Sequence, residues 1–308
     1  MSVIIDRILN QIGDHEIIDK LLSLSQADLN SLLLEIFEKQ TEKFTPANML
    51  KAYRLNRFSV PSKVNPAKFH ALEARLLSIA QEMNIQTVLL SPSAPLGSCS
   101  VFGCVNQYNV VSALRGTETL SDPSNMLAII IADKLRNKTV INTSPLHYST
   151  TARVIRAQPV EGKGFFSHFG IYCMVSSCKD NGSYTSEKKL LEKHLTFYKE
   201  ILQTQFGAKV SIILRKRGGY KDIDGFFGKM TETIETIFPE TSLSFDFENV
   251  DNKYYQGINF KIMLETKDGQ IEIGDGGFVD WISQILGNKK ERCLISGIGL
   301  DRLLLFNE

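Results

Sequence analysis

Two carboxylates near the C-terminal end, Glu272 and Asp275, lie three residues apart in the run IEIGDGG. Magnesium at nucleotide sites takes one or two carboxylates and completes its shell with phosphate and water oxygens. The pair is therefore a candidate Mg²⁺ site. Arg115 and Glu118, in ALRGTE, bring a guanidinium and a carboxylate together within a short stretch. Such a pair can recognise a charged substrate, or it can be a salt bridge in water. His168, between Ser167 and Phe169, reads as a hydrogen-bonded structural histidine. Cys99 with Cys104 and Cys173 with Cys178 repeat a C-x4-C spacing, and Cys293 makes an odd fifth. Structural zinc pairs more often turn on a glycine-rich knuckle. In a strand, an offset of five points two thiols to opposite faces, so both pairs read as small buried hydrophobes of a reducing compartment. The loop GGYKDIDGFFGK is too loosely spaced to cradle phosphate, and RKRGG at 215–219 reads as a solvated turn.

The elements that must position these residues follow from hydrophobic periodicity. Ile4, Ile5, Ile8, Leu9 and Ile12 recur at helical spacing, as do Leu29, Leu32, Leu33, Ile36 and Phe37 behind a Ser25 cap. Thr45 and Pro46 open a third helix. Residues 1–60 thus form a helical extension, expected to pack on the core or on a partner. From residue 61 helix and strand mix. Asn65 caps a helix carrying Phe69, Leu72, Leu76, Ile79 and Met83 as one stripe, and the strand TVLLSP follows. VFGCVNQYNVVSALRG reads as a hairpin broken at Asn106, Gln107 and Asn109. A helix over 124–136 and a short strand at 139–142 come next, then strands at 151–158 and 166–176. A helical and strand insertion follows over about 186–248, with helices at 186–206 and 222–237 around a strand at 209–214. Strands at 256–265, 270–274 and 293–297, a helix at 278–287 and a closing helix from Leu300 complete the chain. Neighbouring hairpin-like strands with flanking helices, without a βαβ rhythm, predict an α+β fold built on an antiparallel sheet.

Among 308 residues, 35 Lys and Arg balance 34 Asp and Glu. That balance gives no broad basic surface for nucleic acid, so tRNA binding is not expected. The N-terminal apolar run is broken by charges, which makes a poor signal peptide. No stretch reaches the roughly 20 apolar residues of a membrane span. A cytoplasmic protein without a membrane contact is the expectation.

Three separated stretches, in order, resemble the three signature motifs of class II aminoacyl-tRNA synthetases. The helix from Pro66 and the strand ending at Pro92 are similar to the first, which in that family builds the dimer interface. ARVIRAQPVEGKGFFSHFGIYC resembles the second in its histidyl version. There Arg156 falls on the arginine that grips the α-phosphate, Gln158 on the glutamate that reads the adenine amino group, and Phe166 on the ring that stacks on adenine. SGIGLDRLLLF resembles the third, with Arg302 on the arginine that holds the γ-phosphate. Tyr254, Tyr255, Gly257, Phe260, Gly276, Gly277 and Asp280 match the histidyl-specific tyrosine and glycine elements, and ALRGTE is similar to the strand facing the amino-acid pocket. The likeness covers residues 61–308, and no anticodon-binding domain is expected behind it. The departures are specific as well. The loop of the second motif is about two residues short and lacks its second arginine, Val250 stands where a histidine-specific arginine would be, and Phe278 and Val279 replace an Arg-Tyr pair.

This resemblance implies an ATP- and Mg²⁺-dependent enzyme that activates a carboxylic acid, expected to be an amino acid, as its adenylate. The acceptor would be something other than a classically recognised tRNA. Arg156 and Arg302 would be the catalytic cations. Arg115, Glu118, Tyr254, Tyr255, Asp275, Gly276 and Gly277 would contact the acid, and the chain would be a homodimer. The same family contains a catalytically silent paralogue, the regulatory subunit of ATP phosphoribosyltransferase. That supplies the second reading, a ligand-binding subunit that controls a partner enzyme.

Overall fold

The computed structural model describes residues 2–140, 144–159, 166–239, 241–248, 253–266 and 269–305. Four helices lead the chain: α1 (Ser2–Ile12), α2 (Ile17–Leu22), α3 (Gln26–Thr41) and α4 (Pro46–Leu55). Their starts are set by local chemistry. Ser25 Oγ accepts from the Asp28 amide, and Thr45 and Asn48 form a reciprocal capping box. No described residue before Phe69 is buried.

The core is an eight-stranded sheet. Its strands are β1 (Gln86–Thr87), β4 (Leu146–Ile155), β5 (His168–Lys179), β6 (Val210–Lys216), β7 (Ser242–Asp246), β8 (Gln256–Thr266), β9 (Gly269–Val279) and β10 (Glu291–Gly299). The spatial order is β1-β4-β5-β10-β9-β8-β6-β7, antiparallel except for the outermost pair at each edge. This is the predicted α+β architecture. The 186–248 stretch is built into it: β6 pairs with β8, and β7 extends the edge.

Alternation along β5 and β10 divides the side chains between two faces. Tyr172, Met174, Leu294 and Ile298 join the main core under α5 (Pro66–Glu82), α7 (Thr185–Lys199), α8 (Ile223–Ile237) and α10 (Leu300–Leu305). Val175, Cys293 and Ile295 face the other way, where α6 (Pro123–Arg136) and α9 (Trp281–Leu286) cover only part of the sheet. The uncovered part is a cleft.

Several expected elements differ. The hairpin over VFGCVNQYNVVSALRG does not form; the segment is a series of turns and a short 3-10 turn at Gln107–Asn109, with a bridge from Ser112 to Glu118. The two arms bond elsewhere: the Val101 and Val105 amides donate to the Gly97 and Cys99 carbonyls, while the Ala113 amide donates to the Thr117 carbonyl and the Val111 carbonyl accepts from the Thr119 amide. The buried Glu118 carboxylate ties the turns down, accepting the Gly97 amide at 2.9 Å, the Cys99 amide at 3.2 Å and Gln107 Nε2 at 2.9 Å. Cys99 and Cys104 therefore sit on a loop, Cys99 buried and Cys104 exposed at φ 55°. TVLLSP pairs over two residues only, as β1, and Pro92 accepts from the Leu120 amide just before β2 (Ser93–Pro95) pairs with β3 (Thr117–Thr119). Of the strand expected at 139–142, residues 141 and 142 lie outside the described residues. The long helix from 186 ends at Lys199 and widens into a π-turn over Glu200–Gln205.

Candidate functional site

Three strands and one helix start floor and wall the cleft. From β5 come Ile171 and Cys173, from β10 Ile295 to Gly297, from β9 Asp275, and from the start of α6 Ser121, Asp122 and Ser124. Together with Arg156, Gln158, Asn109, Tyr254 and Tyr255 they enclose a cavity of about 330 Å³. Small-molecule sites typically occupy roughly 300–1,000 Å³.

Arg156 follows β4 directly. Its Nε donates to the Ser121 carbonyl at 3.2 Å, and its guanidinium lies 5.1 Å from the centre of the Phe169 ring. No carboxylate among the described residues pairs with it, so its fork is directed by a carbonyl and a ring and remains available to a ligand. Opposite it stand two tyrosine–aspartate pairs. Tyr255 donates to Asp275 at 2.9 Å and Tyr254 to Asp122 at 3.2 Å. Tyr254 also packs edge-on against Tyr255 and Trp281, with ring centres 4.7 and 5.6 Å away. Burial pushes both phenols well above their ordinary range, which keeps them donors. Burial likewise raises the Asp275 carboxyl; the neighbouring Glu272 and Asp122 carboxylates add to the rise, while Tyr255 and Arg156 oppose it. Burial drives the Cys99 thiol to about 12, so it is no nucleophile.

Asp122 was not singled out from the sequence. It caps α6, its Oδ1 accepting the Ser124 amide at 2.9 Å, and the Asp-Pro-Ser start was the available signal. Its other oxygen reaches into the site.

A bulge gives Glu272 and Asp275 a common face. Ile262 opposes Gly274 and Met263 opposes Glu272, which leaves Ile273 as an extra residue in β9 and shifts the alternation. Lys261, opposite Asp275, forms an ion pair with Glu272. Gly276 and Gly277 are buried spacers. A Cβ on Gly277 would lie 2.6 Å from the Tyr255 ring, and one on Gly276 2.6 Å from Ser296 Cβ. The bare Gly277 lets Tyr255 lie on the strand.

The remaining predicted residues fall elsewhere. Arg302, in the first turn of α10, donates to the Glu272 carbonyl and does not line the cavity; Phe166 is half-buried and also outside it. Glu118 faces the loop described above. Arg115 is exposed at φ 66°, its amide bonded to Asn30 of α3, so the two do not form a pair. His168 accepts from Arg153 Nε at 3.0 Å on Nδ1 and donates from Nε2 to the Val60 carbonyl at 2.6 Å, the structural role expected. Phe278 packs edge-on against Phe226 in the main core and Val279 joins the opposite cluster, so neither replaces a polar group in the cavity. Val250 lies outside the described residues. No group of three or more His, Cys, Asp or Glu side chains comes together as a metal centre among the described residues, which leaves no four-thiolate zinc site there.

No family model and no curated protein matches the chain by sequence. Solved structures do match by shape. Histidyl-tRNA synthetase from S. aureus aligns over 80% of this chain and 69% of its own, at 12% identity and TM-score 0.59. A protein from Bacillus halodurans described as an ATP phosphoribosyltransferase regulatory subunit/histidyl-tRNA synthetase aligns over 82% and 83%, at 13% identity and TM-score 0.60. A structure described as the RNA binding domain of threonyl-tRNA synthetase from Cryptosporidium parvum aligns over 78% and 63%, at 9% identity and TM-score 0.59. The chain has a class II synthetase-like fold.

Proposed function

We propose that the chain activates an amino acid as its adenylate, using ATP. The carrying observation is one cavity with an unpaired guanidinium on one wall and two carboxylates on the other. Arg156 would hold the α-phosphate and stabilise the charge that builds there. Asp122 and Asp275 would take the ammonium group, an arrangement that favours an amino acid over a plain carboxylic acid. A substrate carboxylate oxygen then bonds to the α-phosphorus as the bond to the bridging oxygen breaks, and pyrophosphate leaves. The protein supplies position and fixed charge, and no proton transfer is needed in this step. Gln158 can accept from an adenine amino group. A magnesium ion arriving with the nucleotide would neutralise phosphate charge, but Glu272, ion-paired with Lys261 and outside the cavity, does not fit as its ligand. A two-fold homodimer through α5 and residues 86–92 is part of this reading; Leu89, 96% exposed, is an apolar side chain left for such a contact.

ATP–pyrophosphate exchange tests this directly. Exchange should appear with at least one amino acid and fail with its deamino analogue. A second reading has its own observation: Arg302 is engaged by the Glu272 carbonyl, outside the cavity. A silent subunit that binds an amino acid and controls a partner enzyme would show binding to that ligand, co-purification with the partner and no exchange with any acid.

A further inference from the structure

A second cavity, of about 710 Å³, lies at the other end of the same central strands. The first is lined from Ile295 to Gly297 on β10, whereas the second takes Arg292 and Cys293. On β9 the division is between Asp275 and Val279.

Its wall is built around buried charge. Glu187, in the first turn of α7, is 1% exposed. Its Oε1 accepts from Tyr220 at 3.1 Å and from Arg292 Nε at 2.8 Å, whereas Oε2 has no partner. A buried carboxylate oxygen without a donor is costly, because its hydration has been removed and nothing replaces it. Arg292 cannot make good the loss. Its other nitrogens already bond to Asp180 at 2.5 Å and to the Lys289 and Glu291 carbonyls. One guanidinium thus serves two carboxylates, and Glu291, 5% exposed, adds a third negative group to the lining. The lysines there, Lys221 and Lys289, are exposed and solvated. The fixed field inside is negative. Tyr184 and Tyr220 add aromatic rings to the lining, a surface that favours a cation.

We infer that this second cavity binds a small organic cation, an ammonium or guanidinium group paired with the Glu187 carboxylate. It is independent of the activation chemistry proposed above. Agmatine, which carries both groups, is the probe, with glutarate as the anionic control. Calorimetry on the full chain should show agmatine binding at millimolar concentration or below, and no binding of glutarate. Glu187→Gln should weaken binding at least about tenfold, near 1.4 kcal/mol. Ser283→Trp, which fills the cavity from α9, should do the same and decides the matter if Glu187→Gln does not fold. Arg156→Ala should leave agmatine binding unchanged. Absence of binding to the wild-type chain, binding that survives Ser283→Trp, or loss in Arg156→Ala would each overturn the assignment.

Discussion

The first sixty residues and the sheet core are both rich in apolar side chains, yet only one of them buries what it carries. In the core, Phe260, Leu294 and Ile298 are fully enclosed. In α1, Val3, Ile4 and Ile12 are 77, 59 and 52% exposed, and in α3 Ile36 and Phe37 are about half exposed. Side-chain caps occur in both, at Ser25 and Thr45 in the extension and at Asn65, Asp122 and Asp222 in the core. The difference shows that capping and periodicity fix where a helix starts and which side is apolar, while burial depends on what meets that side. Specific polar contacts hold the extension to the core. Arg57 donates to the Ala157 carbonyl and Ser167 Oγ, at 2.5 and 2.8 Å, and Asn30 accepts from the Arg115 amide. Two of these contacts fall on the residues that flank the strands of the cleft.

The sharpest way to break this comparison is a matched pair of truncations. Phe260→Ala should destabilise the protein by about 3–5 kcal/mol through the cavity it leaves. Ile36→Ala should stay within about 0.5 kcal/mol, as surface changes do. Urea unfolding of both variants reads the contrast directly, and a large loss in Ile36→Ala would mean the extension is covered in solution.

A pH series sharpens it further, because the core holds a buried histidine, His194, and a half-buried one, His147. His147 and His194 both bond to Ser176, and His194 and Tyr198 both bond to Ser296, in one chain beneath the cleft. Burial lowers His147 to about 4, helped by Lys193, and holds His194 well below its ordinary value. Their folded-state values lie below the unfolded one of about 6.5. Stability is therefore fully present above that pH and falls as pH drops through it, because only the unfolded chain takes up the protons. The slope should approach, and for the half-buried His147 fall short of, about 1.4 kcal/mol per pH unit for each histidine. The His147 contribution ends near pH 4. Denaturant midpoints across this range check it, and a flat profile between pH 6.5 and pH 4 would contradict the buried chain.

A smaller effect is expected at Thr45→Ala. Losing the cap should cost about 1 kcal/mol, confined to α4. Hydrogen exchange should quicken in Pro46–Leu55 and leave β5 and β10 unchanged.

The sequence pattern carried the outline well because its signals are local. The stripe from Phe69 to Ile79, the Asn65 cap and the glycine-bearing strand before Arg302 each specify their element without distant help. The motif order then placed Arg156, Gln158, Tyr254, Tyr255 and Asp275, which meet in one cavity. What was not legible depends on contacts across the chain. The bulge at Ile273 exists only in the pairing with β8. The refusal of the Val101–Ala113 stretch to form a hairpin depends on its two arms bonding elsewhere, one back to Gly97 and Cys99 and the other to Thr117 and Thr119. Asp122 reads locally as a cap, and its second oxygen becomes a site group only when Tyr254 arrives from 132 residues away. Edge strand β7, with Phe245 46% exposed, lacks the alternating burial that marks a strand.

The central claim is that Arg156 meets the phosphate of an amino acid's adenylate in the making. Its most direct test is ATP–pyrophosphate exchange by the wild-type chain and Arg156→Ala, with unfolding midpoints measured beside it. Exchange should fall about a hundredfold to a thousandfold, by analogy with the removal of one transition-state donor, while the midpoints agree. Exchange at the wild-type rate in a folded Arg156→Ala protein would contradict the account.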